Sequence, residues 1–224
     1  MFENMGRRRL IAGAALLPVA ALAGCMTGPG GYTVEEGVRR LLTLSSQRAF
    51  DRLIRPGGFY DDQITRLKMP DSSGDRTGAV LAAILRPNAV RTRIAIALND
   101  LAVDAADRAT PVVLDAVHRM TFADALGVLR GGPTAATDLL ARETEGAVVE
   151  AMFPEFSDGL RGDAFEILTA AVAAASGFDL GALARDVSRQ AGRAIFFTIG
   201  REEAEIRRNP RATRDPVLIA LLAG

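Results

Sequence analysis

Between residues 180 and 207, Leu180, Leu183, Ala184, Val187, Ala191, Ala194, Ile195 and Thr198 recur at three- and four-residue steps. Arg185, Asp186, Arg189 and Arg193 fill the positions between them. That spacing puts the first set on one face of an α-helix and the charges on the other. Val90, Ile94, Ala97, Leu98, Leu101 and Ala105 repeat the pattern. No stretch alternates apolar and polar residues over six positions with β-branched enrichment, so an all-α fold without a sheet is expected. No fixed repeat period marks a solenoid.

Punctuation divides the chain into about eight helices. Thr33-Val34-Glu35-Glu36 reads as a capping box opening a helix to about Ile54, which Arg55-Pro56-Gly57-Gly58 stops. A short helix is expected over 77–85, another from Asn88, and others near 112–119, 122–130, 134–152, 159–175 and 180–207. Pro111 is placed at a helix start, Gly131-Gly132-Pro133 is a helix–helix turn, and Asn209-Pro210 ends the last helix. Ile167 to Ala175 is apolar all round but too short for a membrane span, and is expected as a central core helix. The irregular stretch after Ile54 carries Phe59, Tyr60, Ile64, Leu67 and Met69, enough apolar surface that it should pack onto the helices.

Ahead of this body stands a different kind of segment. Arg7, Arg8 and Arg9 precede an apolar run from Leu10 to Leu22, and Leu22-Ala23-Gly24-Cys25 matches a bacterial lipobox at every position. On this reading residues 1–24 are a lipoprotein signal peptide, and Cys25, the only cysteine, receives a diacylglycerol on sulfur and becomes the new N-terminus. Two or three acyl chains, palmitate among them, then hold the protein on a membrane, where one chain alone would bind marginally. Residues 25–32 are the lipidated cysteine and a flexible Gly-rich tether, and 33–224 a single helical domain. Arg7-Arg8 also fits a twin-arginine signal, leaving that route and the Sec route open. Met26 follows the cysteine where an aspartate often retains lipoproteins at the inner membrane, which favours the outer membrane, facing the periplasm.

Removal of residues 1–24 takes away three arginines and one glutamate, leaving 24 basic and 26 acidic residues and a net charge of −2. With no basic block, no tryptophan and 5% aromatics, the body lacks the footprint of a nucleic-acid binder. His118 is the only histidine, which rules out sites built on paired imidazoles, and no Gly-x-Ser-x-Gly elbow accompanies it. Gly131-Gly132-Pro133-Thr134 lacks the lysine of a phosphate loop. The densest charge cluster is Glu202, Glu203, Glu205, Arg207 and Asn209, the candidate functional cluster of the body. Its carboxylates could serve acid–base chemistry or a divalent cation. The bland alternative is a solvated helix end, with Glu203 and Arg207 paired four apart and Arg207 and Arg208 complementing the helix dipole.

Met120-Thr121-Phe122-Ala123-Asp124-Ala125, Leu129-Arg130-Gly131-Gly132 and Ala135-Ala136-Thr137 form one block, and Gly200 to Ala212, with Glu202-Glu203, Ile206-Arg207 and Asn209-Pro210, a second. Together with Asn99 and Ala105 to Pro111 they resemble a bacterial family of uncharacterised predicted lipoproteins, a domain of unknown function. The resemblance runs from about Val34 to Leu222 and is thinnest between Ile54 and Thr77. It implies an all-helical envelope protein and brings no activity and no catalytic residues. The expectation is therefore a lipid-anchored, non-enzymatic interaction or envelope module with no cofactor and no metal. The alternative is a carrier enclosing a lipid or other apolar ligand between its helices, suggested by the 49% hydrophobic content.

Overall fold

The computed structural model describes residues 32–68, 83, 86–166, 169–170 and 179–223. The signal segment, the lipobox with Cys25, most of the tether, most of the expected 77–85 helix and most of Ile167 to Ala175 lie outside these residues. Among the described residues there are six α-helices, two 3-10 turns and no strand: α1 (Val34–Leu53), α2 (Asn88–Arg119), α3 (Ala125–Arg130), α4 (Ala135–Gly159), α5 (Leu180–Arg208) and α6 (Pro216–Leu222). The all-α expectation holds there, but the helix expected from Asn88 and the one over 112–119 are a single helix, and the one expected over 134–152 runs on to Gly159.

The difference comes from two prolines. Pro111 and Pro154 lie inside α2 and α4 and start nothing. A proline deletes one backbone donor and crowds the carbonyl four residues back. Both prolines, and Asp107 and Glu150 four residues before them, are on exposed positions, so water can serve the freed carbonyls. The buried stripe runs through each proline unbroken: Ala109, Val113 and Val117 in α2, Met152 and Phe156 in α4. Burial on one face outweighs the lost bond on the other. After α4, a turn and a 3-10 segment over Asp163–Phe165 occupy the start of the helix expected over 159–175, of whose later described residues 166, 169 and 170 are helical.

At the start of α1, Thr33 accepts from the Glu36 N–H at 3.1 Å, as a cap should. The expected return bond from Glu36 gives way to an ion pair with Arg40 Nε at 2.6 Å. Helix α6, absent from the sequence expectations, is opened by Asp215, whose carboxylate accepts from the Val217 and Leu218 N–H groups at 2.8 and 3.1 Å. Its Asp-Pro start was legible; its seven residues offered too little periodicity to use.

Helix α5 packs between α1 and α4, and α2 lies across α1 and α4. Small residues set how closely they approach: Ala102, Ala105, Ala106 and Ala109 on α2 and Ser45, Ser46 and Ala49 on α1 are all fully buried. Phe50, Phe59, Phe156 and Phe165 fill the spaces between the helices. No helix among the described residues is long and apolar enough to cross a membrane.

Candidate functional site

The C-terminal half of α5 carries the charge cluster, and the structure separates its members. Glu203 is fully buried. Its Oε1 accepts from the Ala136 N–H at 3.1 Å, and its Oε2 from the Thr137 N–H at 2.7 Å and the Thr137 hydroxyl at 2.6 Å. These are first-turn donors of α4, unpaired within their own helix. Thr134, at the N-cap position, makes no side-chain cap bond. A carboxylate from another helix does the capping and meets the positive end of the α4 dipole.

Arg207, one turn on, binds the same carboxylate through Nη2 at 2.7 Å. Its Nη1 and Nη2 also donate to the Leu129 and Val128 carbonyls at 2.6 and 3.0 Å, which are last-turn acceptors of α3. One ion pair thus holds the end of α3 and the start of α4 across the Gly131-Gly132-Pro133 turn. Close approach is needed for this, and Gly200 supplies it: a Cβ there would lie 3.1 Å from Thr134 Cγ2.

Glu202 points the other way and pairs with Arg52 of α1 at 2.8 Å, with 8% of the residue exposed. Glu205 is exposed and pairs with Arg208. Asn209 is exposed and serves as the α5 C-cap through its own backbone. The five residues therefore do not converge on one point. The solvated-end reading fails for Glu202 and Glu203 because α1 and α4 cover that side of α5; it describes Glu205 and Arg208. Both Glu203 oxygens are already taken by protein donors. Among the described residues no group of three carboxylate, histidine or cysteine side chains is placed to hold a metal.

His118 sits exposed near the end of α2, where its carbonyl is an acceptor. The donor is Arg39, which reaches from α1 to the Val117, His118 and Met120 carbonyls at 2.7, 2.7 and 3.0 Å and lies 5.3 Å from the centre of the Phe122 ring. Arg39 thus does for α2 what Arg207 does for α3. Nothing in the sequence singled it out, since its partners lie about eighty residues away.

The roles of two further side chains escaped the sequence reading. Asn99, buried in α2, accepts from the Leu67 N–H at 2.9 Å and donates to the Leu67 carbonyl at 3.3 Å. Gln190 of α5 accepts from the Lys68 N–H at 3.2 Å and donates to its carbonyl at 3.1 Å. Two amides from different helices hold consecutive backbone units, fixing the segment after Ile54 as packed chain. Phe59 and Leu67 from that segment are buried, as expected, whereas Ile64 is 68% exposed.

Beside this segment a groove of about 700 Å³ runs between the end of α1 and α5. Arg52, Arg55, Arg201, Asp61 and Asp62 line it, and Gly57 turns its floor at φ +78°. Asp62 pairs with Arg201 at 2.6 Å. The Ile64 N–H and that guanidinium hold the Asp62 carboxyl below the ordinary carboxylate range, outweighing burial. Within the groove Asp62 and Arg201 match each other, and Arg52 is taken by Glu202 beside it.

The two blocks of sequence resemblance are the two sides of the Glu203–Arg207 junction, Leu129 to Thr137 on one side and Gly200 to Asn209 on the other. A family model described as a protein of unknown function, DUF4197, matches residues 30–223. The chain belongs to that family. No curated protein and no solved structure matches it.

Proposed function

Taking that membership as premise, we propose that the protein is a lipid-anchored, periplasm-facing domain that acts through contacts with other envelope components and not by catalysis. The observation that carries the anchor is the Leu22-Ala23-Gly24-Cys25 lipobox, with a basic, apolar leader before it and a Gly-rich stretch leading into α1 after it. Met26 in place of aspartate supports the inner leaflet of the outer membrane as the anchoring surface. The non-catalytic part rests on the charge cluster: its two buried carboxylates are engaged by Arg52, Arg207 and the start of α4. Groups so held are suited to fixing helix ends. The charged lining of the groove beside α1 favours polar contacts over an apolar ligand.

Membrane fractionation of cells expressing Cys25→Ser tests the proposal. A hydroxyl cannot take the thioether-linked lipid, so the variant should appear in the periplasm or remain unprocessed. A cleaved serine variant still in the membrane fraction would overturn the anchor. Arg7→Lys with Arg8→Lys should block export only if the twin-arginine route is used.

A further inference from the structure

Helices α4 and α5 lie side by side, with Gly192 against Val149 and Met152 and Gly200 against Thr134 and Thr137. Chain direction is opposite in the two, since α5 advances from 192 to 200 as its contacts on α4 fall from 152 to 134. Their solvent faces carry opposite charge. On α5, Arg185, Arg189, Arg193, Phe197 and Arg201 are all exposed and follow one another at four-residue steps. On α4, Glu143, Glu145 and Glu150 are exposed, with Arg142 as the one basic residue among them.

Among the described residues, none of these three glutamates and neither Arg142 nor Arg193 takes an ion pair. Arg185, Arg189 and Arg201 meet Asp179, Asp186 and Asp62 in exposed pairs, weak enough to be exchanged. Between the charges sit Gly146, around whose missing Cβ there is open space, and exposed Ala147. Phe197 stands out from α5 with 42% of its surface in solvent.

We propose that the α4–α5 face docks a second copy of this chain about a twofold axis, α5 of each copy lying on α4 of the other. A patch with both signs side by side does not suit a uniformly charged surface such as an anionic bilayer. It suits its own inverse, and a twofold rotation of the patch onto itself supplies that inverse twice. Glu143, Gly146, Ala147 and Glu150 lie at three- and four-residue steps on one side of α4. Arg189 and Arg193 then face Glu143 and Glu150 of the other copy, and Phe197 covers the small-residue surface at Gly146 and Ala147. An aromatic over small residues inside a ring of charge is the usual make-up of such an interface. The pairing does not depend on Cys25 or its acylation.

Sedimentation velocity of the full chain carrying Cys25→Ser should show a dimer at low salt that weakens as salt is raised. Arg189→Glu with Arg193→Glu should raise the dissociation constant roughly tenfold or more, and Glu143→Arg with Glu150→Arg should do the same. All four side chains are exposed, so circular dichroism of both variants should match the parent. Mixing the two variants should restore a dimer, because the two reversed helices then face each other in one half of the interface and the two unaltered helices in the other. A parent that is monomeric at every concentration would overturn the proposal. So would a dimer indifferent to both reversals, or a mixture that stays monomeric.

Discussion

Two Glu–Arg pairs occupy the last two turns of α5, and they differ in everything except residue type. Glu203 and Arg207 have side chains 0% and 11% exposed, while Glu205 and Arg208 are 54% and 71% exposed. The first pair joins three helices and satisfies backbone groups at two helix ends. The second lies on the surface of its own helix. Spacing along the helix allows both, so what decides between structural necessity and solvated decoration is which face α1 and α4 cover.

The sharpest way to break this comparison is Glu203→Leu. The substitution leaves the Arg207 guanidinium nearly buried without its counter-charge and the first turn of α4 uncapped. Removing one partner of a buried pair costs about 3–5 kcal/mol. For a domain of this size that is a fall in melting temperature of roughly 10 °C. Thermal denaturation followed by circular dichroism measures it, and a loss under about 1 kcal/mol would mean that the junction is no keystone.

A middle case is Asp215, which caps α6 and pairs with Arg40 of α1 at 3.0 Å. Burial pushes its carboxyl up, but the Leu218 N–H, the Arg40 guanidinium and the Val217 N–H together bring it below the ordinary aspartate value. A carboxyl lowered by folding adds stability that is full above its unfolded pKa and is lost as pH falls through the folded one. Wild type should therefore lose stability on acidification below about pH 4, near the unperturbed aspartate value. Asp215→Asn, which keeps a capping oxygen, should start less stable at pH 7 by up to about 1 kcal/mol and lose less on acidification. Urea titrations at pH 7 and in the acid range compare the two; parallel acid losses would show that this pair is not the sensor. At the small end, Arg208→Ala should change stability by no more than about 0.5 kcal/mol in the same assay.

Much of the fold was legible because the period of α5 and α2 is long and clean, and because Thr33 and Gly131 to Pro133 mark real boundaries. The merging of 88–119 into one helix was not legible. A proline says that a bond is missing but not whether that side of the helix faces water. For the cluster, the solvated-end reading assigned a wrong environment to Glu202 and Glu203. Three- or four-residue spacing brings a pair together whether it is buried or exposed, and the contacts that bury Glu203 come from Ala136 and Thr137, more than sixty residues earlier in the chain. The roles of Arg39, Asn99 and Gln190 were invisible for the same reason, though Asn99 itself stood in the family resemblance: each serves backbone groups of a distant segment, and backbone groups leave no mark on a sequence.

The clasp on Leu67 and Lys68 joins contacts of very different chain separation. Asn99 lies 32 residues from Leu67, whereas Gln190 lies 122 residues from Lys68. The nearer contact closes a short loop and can form as soon as α2 exists, while the farther one must wait until most of the chain has been gathered and α5 has docked. The two adjacent amide hydrogens therefore report separate steps. Leu67 is expected to become protected when its segment settles on α2, and Lys68 when α5 arrives, an order that pulse-labelled hydrogen exchange during refolding would read.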